Sequence, residues 1–325
     1  MRVLIVTNMF PTEKRPVFGI FVKEQVDSIR RYHPDVEYDV YSIDGGGVQG
    51  ASKWISLKNY INSIIAVDRI VRKGAYDLIH VHYGFSGLFL LNPFRKRIPT
   101  LVTLHGGDIQ PEQKKQFQVF ATRRLLKNAN FAITLNERMD KIAHHYIKNT
   151  KIVPCAANTD FFTPVVKDAT NTKPLVIFPS DKTRFVKNYP LFLETINVLK
   201  EKYEIECMTS EVHKMSRSQV RDLYYKADLM LMTSISEGSP QVVKEAMACN
   251  LPVVSTPVGD VEILLQNVRD SGVSKKHDAE ELADLCFKSL TGKIGGVYGS
   301  ERLVSLGLDN KSISDEIYNI YNQLL

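Results

Sequence analysis

The chain has 325 residues, enough for two α/β domains that each bury a core of their own. Its 44% apolar and 24% charged residues are typical of a globular protein, and no apolar run approaches the roughly 18 residues of a membrane-spanning helix. The four scattered cysteines form no Cys-x-x-Cys pair, which argues against a disulfide or zinc framework. The net charge of +6 becomes informative only when it is divided along the chain.

The positive charge is concentrated in the first half. Residues 1–165 contain 23 Lys and Arg against 14 Asp and Glu, whereas residues 166–325 contain 19 against 22. A basic half favours an anionic partner such as a membrane surface or a lipid phosphate, and a solvated surface without a partner stays the alternative. The sequence shows no RNA-recognition motif, helix-turn-helix or basic patch interleaved with aromatic residues, so we expect no nucleic acid.

Short apolar runs alternate with amphipathic stretches in the first half, the pattern of βα units in a parallel sheet. The run at 2–7 is too short for the core of a signal peptide and predicts a first buried strand in a cytoplasmic chain. The predicted strands lie near 2–7, 37–42, 77–82, 100–104, 130–134 and 151–153, and the clearest helices at 19–32, 56–73 and 113–128.

Periodicity is lost between 162 and 173, a polar, proline-bounded segment that predicts an inter-domain linker. We expect a first domain over 1–164, a second over 174–311, and a final helix over 312–325 that packs back on the first domain. Because doubly wound sheets bind ligands at the carboxyl ends of their strands, the expected site is a cleft between the domains. In the second domain the predicted strands lie near 174–178, 203–208, 228–232 and 252–255, and the helices near 189–201, 216–226, 240–248, 259–266 and 278–290.

The strongest chemical signal is the segment 236–248, which follows a predicted strand and opens a helix. Gly238 permits a tight turn, Ser239 is a good N-cap, and Pro240 suits the first helical position. A helix that begins at the end of a parallel strand offers free N–H groups and a positive dipole end, which together favour an anion.

The same segment carries two glutamates, Glu237 and Glu245. Their carboxylates suit the recognition of sugar or ribose hydroxyls, because an ionised carboxylate accepts several hydrogen bonds. These two residues with seven between them, followed by segments 251–254 and 255–260, resemble the donor-site motif of family 4 glycosyltransferases. Segments similar to the other landmarks of that family follow the family order along the chain, at 77–82, 103–108, 151–162 and 178–188.

The resemblance implies an α/β protein of the GT-B fold, with two doubly wound Rossmann-like domains facing across a cleft. It also implies a retaining transferase that moves a sugar from a nucleotide-sugar donor to a saccharide or lipid-linked saccharide. Segment 17–25 is similar to that of bacterial enzymes that assemble capsular, exopolysaccharide and cell-wall glycans, so we expect a role in surface polysaccharide synthesis. Such a chain works in the cytoplasm or on the inner face of the cell membrane.

The resemblance assigns four residues to the reacting centre. His105 is similar to the family's histidine beside the transferred sugar, and Glu237 to the residue near the donor sugar's hydroxyls. Lys187 and Arg184 are similar to the cations that hold the phosphates. Many relatives place the arginine further upstream, where this chain has Lys182.

The resemblance further assigns the nucleotide-binding residues. Glu245 is similar to the residue that binds the ribose, and Gly19 to the glycine that lets backbone N–H groups approach the diphosphate or acceptor. Gly238, Ser239 and Pro240 open the helix whose N–H groups face sugar or phosphate. No Asp-x-Asp motif occurs, so we expect no metal and no cofactor besides the donor.

Several alternatives stay open at this point. A GT-B nucleotide-sugar 2-epimerase, or a nucleotide-sugar-binding protein without catalysis, shares the fold and the donor site. The run 85–97 pairs apolar residues with a cationic end, which fits either an anionic membrane or an ordinary crossover helix. The compressed segment 203–218 leaves the nucleotide base undefined, and the sugar is not encoded in any motif.

Overall fold

The computed structural model describes residues 1–13, 15, 18–43, 53–110, 116–165 and 172–325, with only the backbone described for 53–57. The chain divides into two units, Met1–Cys155 with Lys311–Leu325 (unit 1) and Ala156–Asn310 (unit 2). Most of the predicted linker lies outside the described residues.

Unit 1 is built on a parallel sheet in which the strand order is β2-β1-β3-β4-β5-β6. Its strands, all predicted to within about one residue, are β1 (Arg2–Thr7), β2 (Glu37–Ser42), β3 (Leu78–His82), β4 (Thr100–Thr103), β5 (Phe131–Thr134) and β6 (Thr150–Ile152). The order reverses between β1 and β3, so their carboxyl ends form the switch point where doubly wound sheets bind ligands.

Helices cover this sheet, and most follow the predicted pattern. They are α1 (Ile20–Tyr32), α2 (Lys53–Lys73), a 3-10 helix (Gly84–Leu91), α3 (Gln116–Leu126), α4 (Glu137–Ala143) and, at the end of the chain, α11 (Asn310–Leu324). The sequence analysis missed α4, although it begins with an N-cap in which Asn136 accepts a 2.9 Å hydrogen bond from the N–H of Met139.

Unit 2 has the same topology, with the strand order β11-β10-β9-β7-β8 and a switch point between β7 and β9. The strands are β7 (Leu175–Phe178), β8 (Met208–Glu211), β9 (Leu229–Met232), β10 (Val253–Ser255) and β11 (Gly272–Val273), all parallel. The helices are α5 (Tyr189–Tyr203), α6 (Arg217–Lys226), α7 (Gln241–Ala248), α8 (Val261–Leu265), α9 (Ala279–Leu290) and α10 (Gly299–Ser305), with a 3-10 helix at Phe185–Lys187.

The strand predicted at 203–208 is wrong. Helix α5 continues to Tyr203 and ends at Glu204, which adopts a left-handed conformation with φ 55°. The N–H of Ile205 then bonds to the carbonyl of Leu199 and turns the chain, so the strand starts only at Met208. This edge strand is polar and partly exposed, and it therefore lacks the apolar run on which the prediction relied.

Residues 156–165, which the sequence analysis assigns to the first domain, contact unit 2 in the structure. The N–H of Ala157 bonds to the carbonyl of Leu308 at 2.9 Å, and the ring of Phe162 lies 5.8 Å from that of Tyr224. Both Phe162 and Tyr224 are fully buried. These contacts place Phe162 against α6.

Helix α11 packs on unit 1. Its buried Ser314 bonds to Ser28 of α1 at 2.8 Å, and the hydroxyl of Tyr321 lies 2.7 Å from Nδ1 of His80 in β3. Ile317, Ile320 and Tyr321 are buried. The last helix of the chain therefore completes the core of its first unit.

Candidate functional site

Two loops of unit 2 leave the switch-point strands β7 and β9 and lie against each other. The N–H of Ile235 bonds to the carbonyl of Val186 at 2.8 Å. The hydroxyl of Thr233 donates to the carbonyls of Lys187 and Asn188 at 3.2 and 2.9 Å. These bonds fix the 3-10 helix Phe185–Lys187 beside the segment that carries Glu237.

This arrangement joins two of the predicted site residues. The amine of Lys187 and the carboxylate of Glu237 form an ion pair whose side chains are 11% and 16% exposed. A partly desolvated pair of this kind keeps its charges in fixed positions while leaving one edge accessible. Lys187 and Glu237 thus place one cation and one carboxylate, a hydrogen-bond acceptor, side by side in these loops.

Arg184 and Lys182 occupy the same loop but differ in their contacts. The backbone N–H and the side-chain amine of Lys182 both approach the carboxylate of Glu211 on β8, at 3.1 and 3.7 Å. Arg184 is exposed, and in the described part of the chain its guanidinium has no ion-pair partner. Of the two cations, Arg184 is the one that no carboxylate holds.

The start of α7 differs from the prediction at Ser239 and Pro240. Pro240, not Ser239, is the N-cap residue, and the carbonyl of Pro240 accepts the first helical bond from the N–H of Val243 at 3.2 Å. The hydroxyl of Ser239 donates instead to Asp260 at 2.6 Å. Since Ser239 is engaged with the loop after β10, the prediction that it caps α7 is wrong.

The turn that Gly238 is predicted to permit does not require a glycine at this position. A Cβ atom at Gly238 would meet nothing within 4 Å, and its φ lies outside the left-handed region. The left-handed residue is Gly259, with φ 57°, where a Cβ would lie 2.3 Å from the carbonyl oxygen of Gly238. Gly259 therefore permits the close approach of the two loops.

Glu245 lies deeper than Glu237 and is held by a residue that the sequence analysis did not single out. Oε1 of Glu245 accepts a 2.6 Å hydrogen bond from Arg217, and the Glu245 side chain is only 7% exposed. The Arg217 guanidinium lies 4.7 Å from the ring centre of Phe162. Burial and the charge of Glu245 raise the pKa of Tyr224 well above its usual value. Glu245 is thus a buried, ion-paired carboxylate in the unliganded structure.

In unit 1, Gly19 precedes α1 and closes the loop after β1. Its φ is 69°, and a Cβ there would lie 2.3 Å from the carbonyl carbon of Met9. Any other residue would strain the backbone and clash with the loop. The glycine predicted at this position is required by the geometry of the loop itself.

His105 belongs to a cluster with two histidines of β3. Nε2 of His105 lies 3.4 Å from Nδ1 of His82, and the rings of His82 and His80 are 4.2 Å apart. Burial lowers the pKa of His105 to about 4 and of His80 to about 3, and it lowers the pKa of His82 well below its usual value. All three imidazoles are therefore neutral at neutral pH and act as hydrogen-bonding groups, not as cations.

Asp108 holds the loop that carries His105. Its carboxylate accepts hydrogen bonds from the N–H of Gly84 at 2.7 Å and from the N–H of His105 at 3.0 Å. Burial raises the pKa of Asp108 to about 6 although these bonds oppose the shift. The carboxylate is fully buried and positions the backbone between β4 and α3.

The described residues contain neither a metal-ligand cluster nor a membrane-spanning helix. No group of three or more His, Cys, Asp or Glu side chains is arranged to hold a metal ion there. Within the same ranges, no helix combines the length and the apolar character needed to cross a membrane.

Comparison with known proteins defines the class. The family described as glycosyl transferase 4-like domain matches residues 16–155, and the family described as glycosyl transferases group 1 matches residues 197–291. Together these matches cover more than half of the chain, which therefore belongs to the glycosyltransferases of this type.

A curated relative is the Bacillus subtilis glycosyltransferase TuaC, named for teichuronic acid biosynthesis. It is 24% identical over 324 residues that cover 81% of this chain and 83% of that protein.

Solved structures confirm the GT-B fold class. Sucrose-phosphate synthase from Thermosynechococcus elongatus has a TM-score of 0.75 at 17% identity, with 99% of this chain and 98% of that chain covered. The Anabaena protein HepE in complex with UDP has a TM-score of 0.68 at 14% identity, with 99% and 100% covered. The predictions of two parallel-sheet α/β domains and of a glycosyltransferase are confirmed.

Proposed function

We propose that this glycosyltransferase moves a sugar, with retention of configuration, from a nucleotide-sugar donor to a saccharide or lipid-linked saccharide in bacterial surface polysaccharide synthesis. The observation that carries the donor assignment is the Lys187–Glu237 pair beside the start of α7, at the switch point of unit 2. A cation and a hydroxyl-binding carboxylate side by side match the two ends of a sugar diphosphate. HepE has been solved with UDP and with UDP-glucose, which makes UDP-sugars the first donors to test.

In the proposed reaction the leaving diphosphate gathers negative charge, and Lys187 and Arg184 stabilise it. Arg184 can form a bidentate contact, and Lys187 supplies a point charge that Glu237 keeps in place. The α7 N–H groups add a positive dipole end. Since these groups supply the positive charge, we propose turnover without a divalent metal, which predicts that EDTA leaves the rate unchanged.

Retention is proposed to follow from attack on the face of the sugar that the diphosphate leaves. Glu237 is bound to Lys187, an arrangement that favours hydroxyl recognition over attack on the sugar carbon. His105, neutral and at the end of β4, is proposed to bond a hydroxyl near the reacting centre. Glu245 is proposed to bind the ribose. This requires that Arg217 share the Glu245 carboxylate with the ribose or release it.

The test is a transfer assay with UDP-, GDP-, ADP- and dTDP-sugars and octyl glycosides as acceptors. The anomeric configuration of the product is measured by proton NMR. An α-linked donor should give an α-glycoside. Lys187→Met should lower kcat/KM by about 100- to 1000-fold, as expected when a residue that stabilises developing charge is removed. Lys200→Met, an exposed cation of α5 whose amine lies 3.4 Å from Glu206, is the matched control and should keep full activity.

Four outcomes would contradict parts of this proposal. A β-linked product excludes retention. An epimerised nucleotide sugar formed without acceptor indicates a 2-epimerase. Donor binding without any turnover indicates a non-catalytic binding protein. Equal loss in Lys187→Met and Lys200→Met would remove the site assignment.

We also propose that the basic half of the chain rests on an anionic membrane surface. Phe117, Phe120 and Arg124 lie within one face of α3, and Lys127 follows its last residue. The two phenylalanines are each 67% exposed. Helix α2 repeats the pattern of apolar and cationic residues with Ile61, Ile65, Arg69 and Arg72. Such faces bind the interface through apolar insertion and through about 1 kcal/mol per cation.

Vesicle sedimentation tests the membrane contact. The protein should bind phosphatidylcholine vesicles only when they contain phosphatidylglycerol, and binding should decrease in high salt. Phe117→Ser with Phe120→Ser should weaken it. Phe185→Ser, which changes an 88% exposed phenylalanine of unit 2, should not. Equal binding to neutral vesicles, or none to anionic ones, would contradict the membrane proposal.

A further inference from the structure

A cavity of about 650 Å³ opens in unit 1 at the amino ends of β4 and β5. It lies between the turn that follows the 3-10 helix Gly84–Leu91 and the turn that follows α3. His82 ends β3, His105 follows β4 and Gly19 closes the loop after β1, so all three lie at the opposite edge of this parallel sheet. The cavity is therefore separate from the candidate catalytic residues of its unit.

Three cations converge on this cavity, and none of the described residues that line it carries a carboxylate. Arg95, Arg97 and Lys127 line it together with the amides of Asn92, Asn128 and Asn130. Within the described ranges none of these three cations forms an ion pair. Burial, and then the neighbouring charge of Arg97, lower the pKa of Arg95.

An acidic residue that bonds to the same turn, Asp68, is already engaged with other groups. Asp68 of α2 accepts hydrogen bonds from Arg72 at 2.7 Å and from the N–H of Lys96 at 3.1 Å. The side chain of Lys96 approaches the carbonyl of Val71, away from the lining of the cavity. Arg95 and Arg97 thus remain uncompensated, and like charges held together without a counter-charge repel each other.

One contact shows that the site is partly preorganised. Arg95 donates a hydrogen bond to the carbonyl of Asn128 at 3.1 Å, which ties the two turns together and fixes the guanidinium at the cavity wall. Arginine with a second cation and amide donors is the set of groups that recognises a phosphate. The volume is within the range of pockets for small organic ligands and exceeds what one inorganic phosphate fills.

We propose that this cavity binds the phosphate group of an organic phosphate, with Arg95, Arg97 and Lys127 as its ligands. The proposal goes beyond the donor reaction and does not depend on it. Two sources present this chemistry: a free phosphorylated small molecule and the headgroup of an anionic phospholipid. Phe94 beside the cavity is 83% exposed, and Leu91 of its lining is also exposed, so a lipid would find apolar contacts at the rim.

Calorimetric titration with sn-glycerol 3-phosphate at low salt tests the site. Comparing the Kd of cavity variants with the Kd of a donor-site variant separates this cavity from the proposed donor site. Arg95→Gln combined with Arg97→Gln should raise the Kd about tenfold or more, because charge-assisted hydrogen bonds are lost. Lys96→Gln, on the same turn with its amine on the other side, should leave the Kd unchanged. Lys187→Met should also leave it unchanged, whether or not the donor assignment is correct.

Vesicles that contain phosphatidylglycerol distinguish the two sources. If the lipid headgroup is the ligand, the double variant and Phe94→Ser both weaken sedimentation with these vesicles. If a free phosphate is the ligand, glycerol 3-phosphate still binds at the cavity and the vesicle fraction does not change between variants. The proposal is overturned if wild-type protein does not bind glycerol 3-phosphate more tightly than chloride, or if the double variant binds it equally well.

Discussion

Two glycines of the donor loops differ in why the chain needs them. Gly259 combines a left-handed φ of 57° with a carbonyl oxygen 2.3 Å from the position of its missing Cβ. Gly238 has neither constraint, and Gly292, at the end of α9, has a left-handed φ of 64° but open space around it. Gly259 thus has both backbone strain and a close contact, Gly292 has the strain alone, and Gly238 has neither.

Alanine at each of these positions should cost a different amount of stability. Gly259→Ala should lower the free energy of unfolding by about 2 kcal/mol or more, since both strain and a clash arise. Gly292→Ala should cost about 1 kcal/mol from strain alone, and Gly238→Ala less than about 0.5 kcal/mol. Urea unfolding measures all three. Equal costs at Gly259 and Gly292 would show that the loop contact is not tight.

The residues of the donor site differ in how visible they are in the sequence. Glu237, Glu245 and Lys187 stand in segments with a fixed spacing, so the resemblance finds them. Arg217 and Phe162 are separated from Glu245 by 28 and more positions along the chain and have no motif of their own. Only the packing of α6 against α7 and the 156–165 segment brings them to the carboxylate. The N-cap at Pro240 was missed because the hydroxyl of Ser239 has a competing acceptor in Asp260.

At the scale of elements, a buried series of side-chain hydrogen bonds joins α11 to the sheet of unit 1. The hydroxyl of Tyr321 bonds to Nδ1 of His80, and Nε2 of His80 bonds to the hydroxyl of Thr103 at 2.7 Å. All three side chains in this series are buried, so the loss of one partner leaves a buried polar atom without a hydrogen bond.

Tyr321→Phe should therefore cost about 1–3 kcal/mol of unfolding free energy, because Nδ1 of His80 loses its partner. Urea unfolding followed by far-ultraviolet circular dichroism measures this cost. Tyr318→Phe is the matched control on the same helix. It removes an exposed 3.0 Å bond to Asp35 and should cost less than about 1 kcal/mol. If both variants cost the same, the buried series of hydrogen bonds is not a significant source of stability.

Element prediction placed every strand of the sheet in unit 1 and failed at the edge strands β8 and β11 of unit 2. Strands β1 and β9 are buried along their whole length or nearly so and are largely apolar. Strand β3 is equally buried, although His80 and His82 interrupt its apolar run. Strand β8 at the sheet edge is polar, and β11 has only two residues. Neither strand has an alternating or continuous apolar pattern, because β8 buries few side chains and β11 is too short to form a pattern.

At the scale of the whole molecule, buried histidines link stability to pH. His80 and His105 have folded pKa values of about 3 and 4, below the ordinary 6.5, and the pKa of His82 is also lowered. As pH falls below 6.5 the unfolded chain binds protons that the folded chain does not, so stability decreases. Asp108 acts in the opposite direction between about 6 and 3.8, because its folded pKa is raised.

The three histidines outweigh one carboxyl, and we expect the free energy of unfolding to fall by about 4 kcal/mol between pH 7.5 and pH 5.0. Urea titrations followed by far-ultraviolet circular dichroism at the two pH values measure the difference. His80→Gln should be less stable at both pH values but should reduce the difference by about 2 kcal/mol. An unchanged difference in that variant would show that His80 takes up a proton in the folded state.

The division of charge between the two halves is a whole-molecule property that the sequence gives directly. Residues 58–130 contain twelve Lys and Arg and four Asp and Glu. Composition does not reveal how these cations are arranged, since Lys96 turns away from Arg95 and Arg97 only in the folded turn. The excess of cations in the first half is thus visible in the sequence, whereas the arrangement of Arg95, Arg97 and Lys127 around one cavity is not.

The central claim is that Lys187 and Glu237 form the donor diphosphate site of a glycosyltransferase. Thermal-shift titration of wild-type, Lys187→Met and Lys200→Met proteins with UDP, GDP, ADP and dTDP tests it most directly. Binding to the folded state raises Tm by mass action. We expect one diphosphate to raise the Tm of wild-type and Lys200→Met proteins and to have little effect on Lys187→Met. A flat response to every nucleotide, or an equal shift in Lys187→Met, would contradict the assignment.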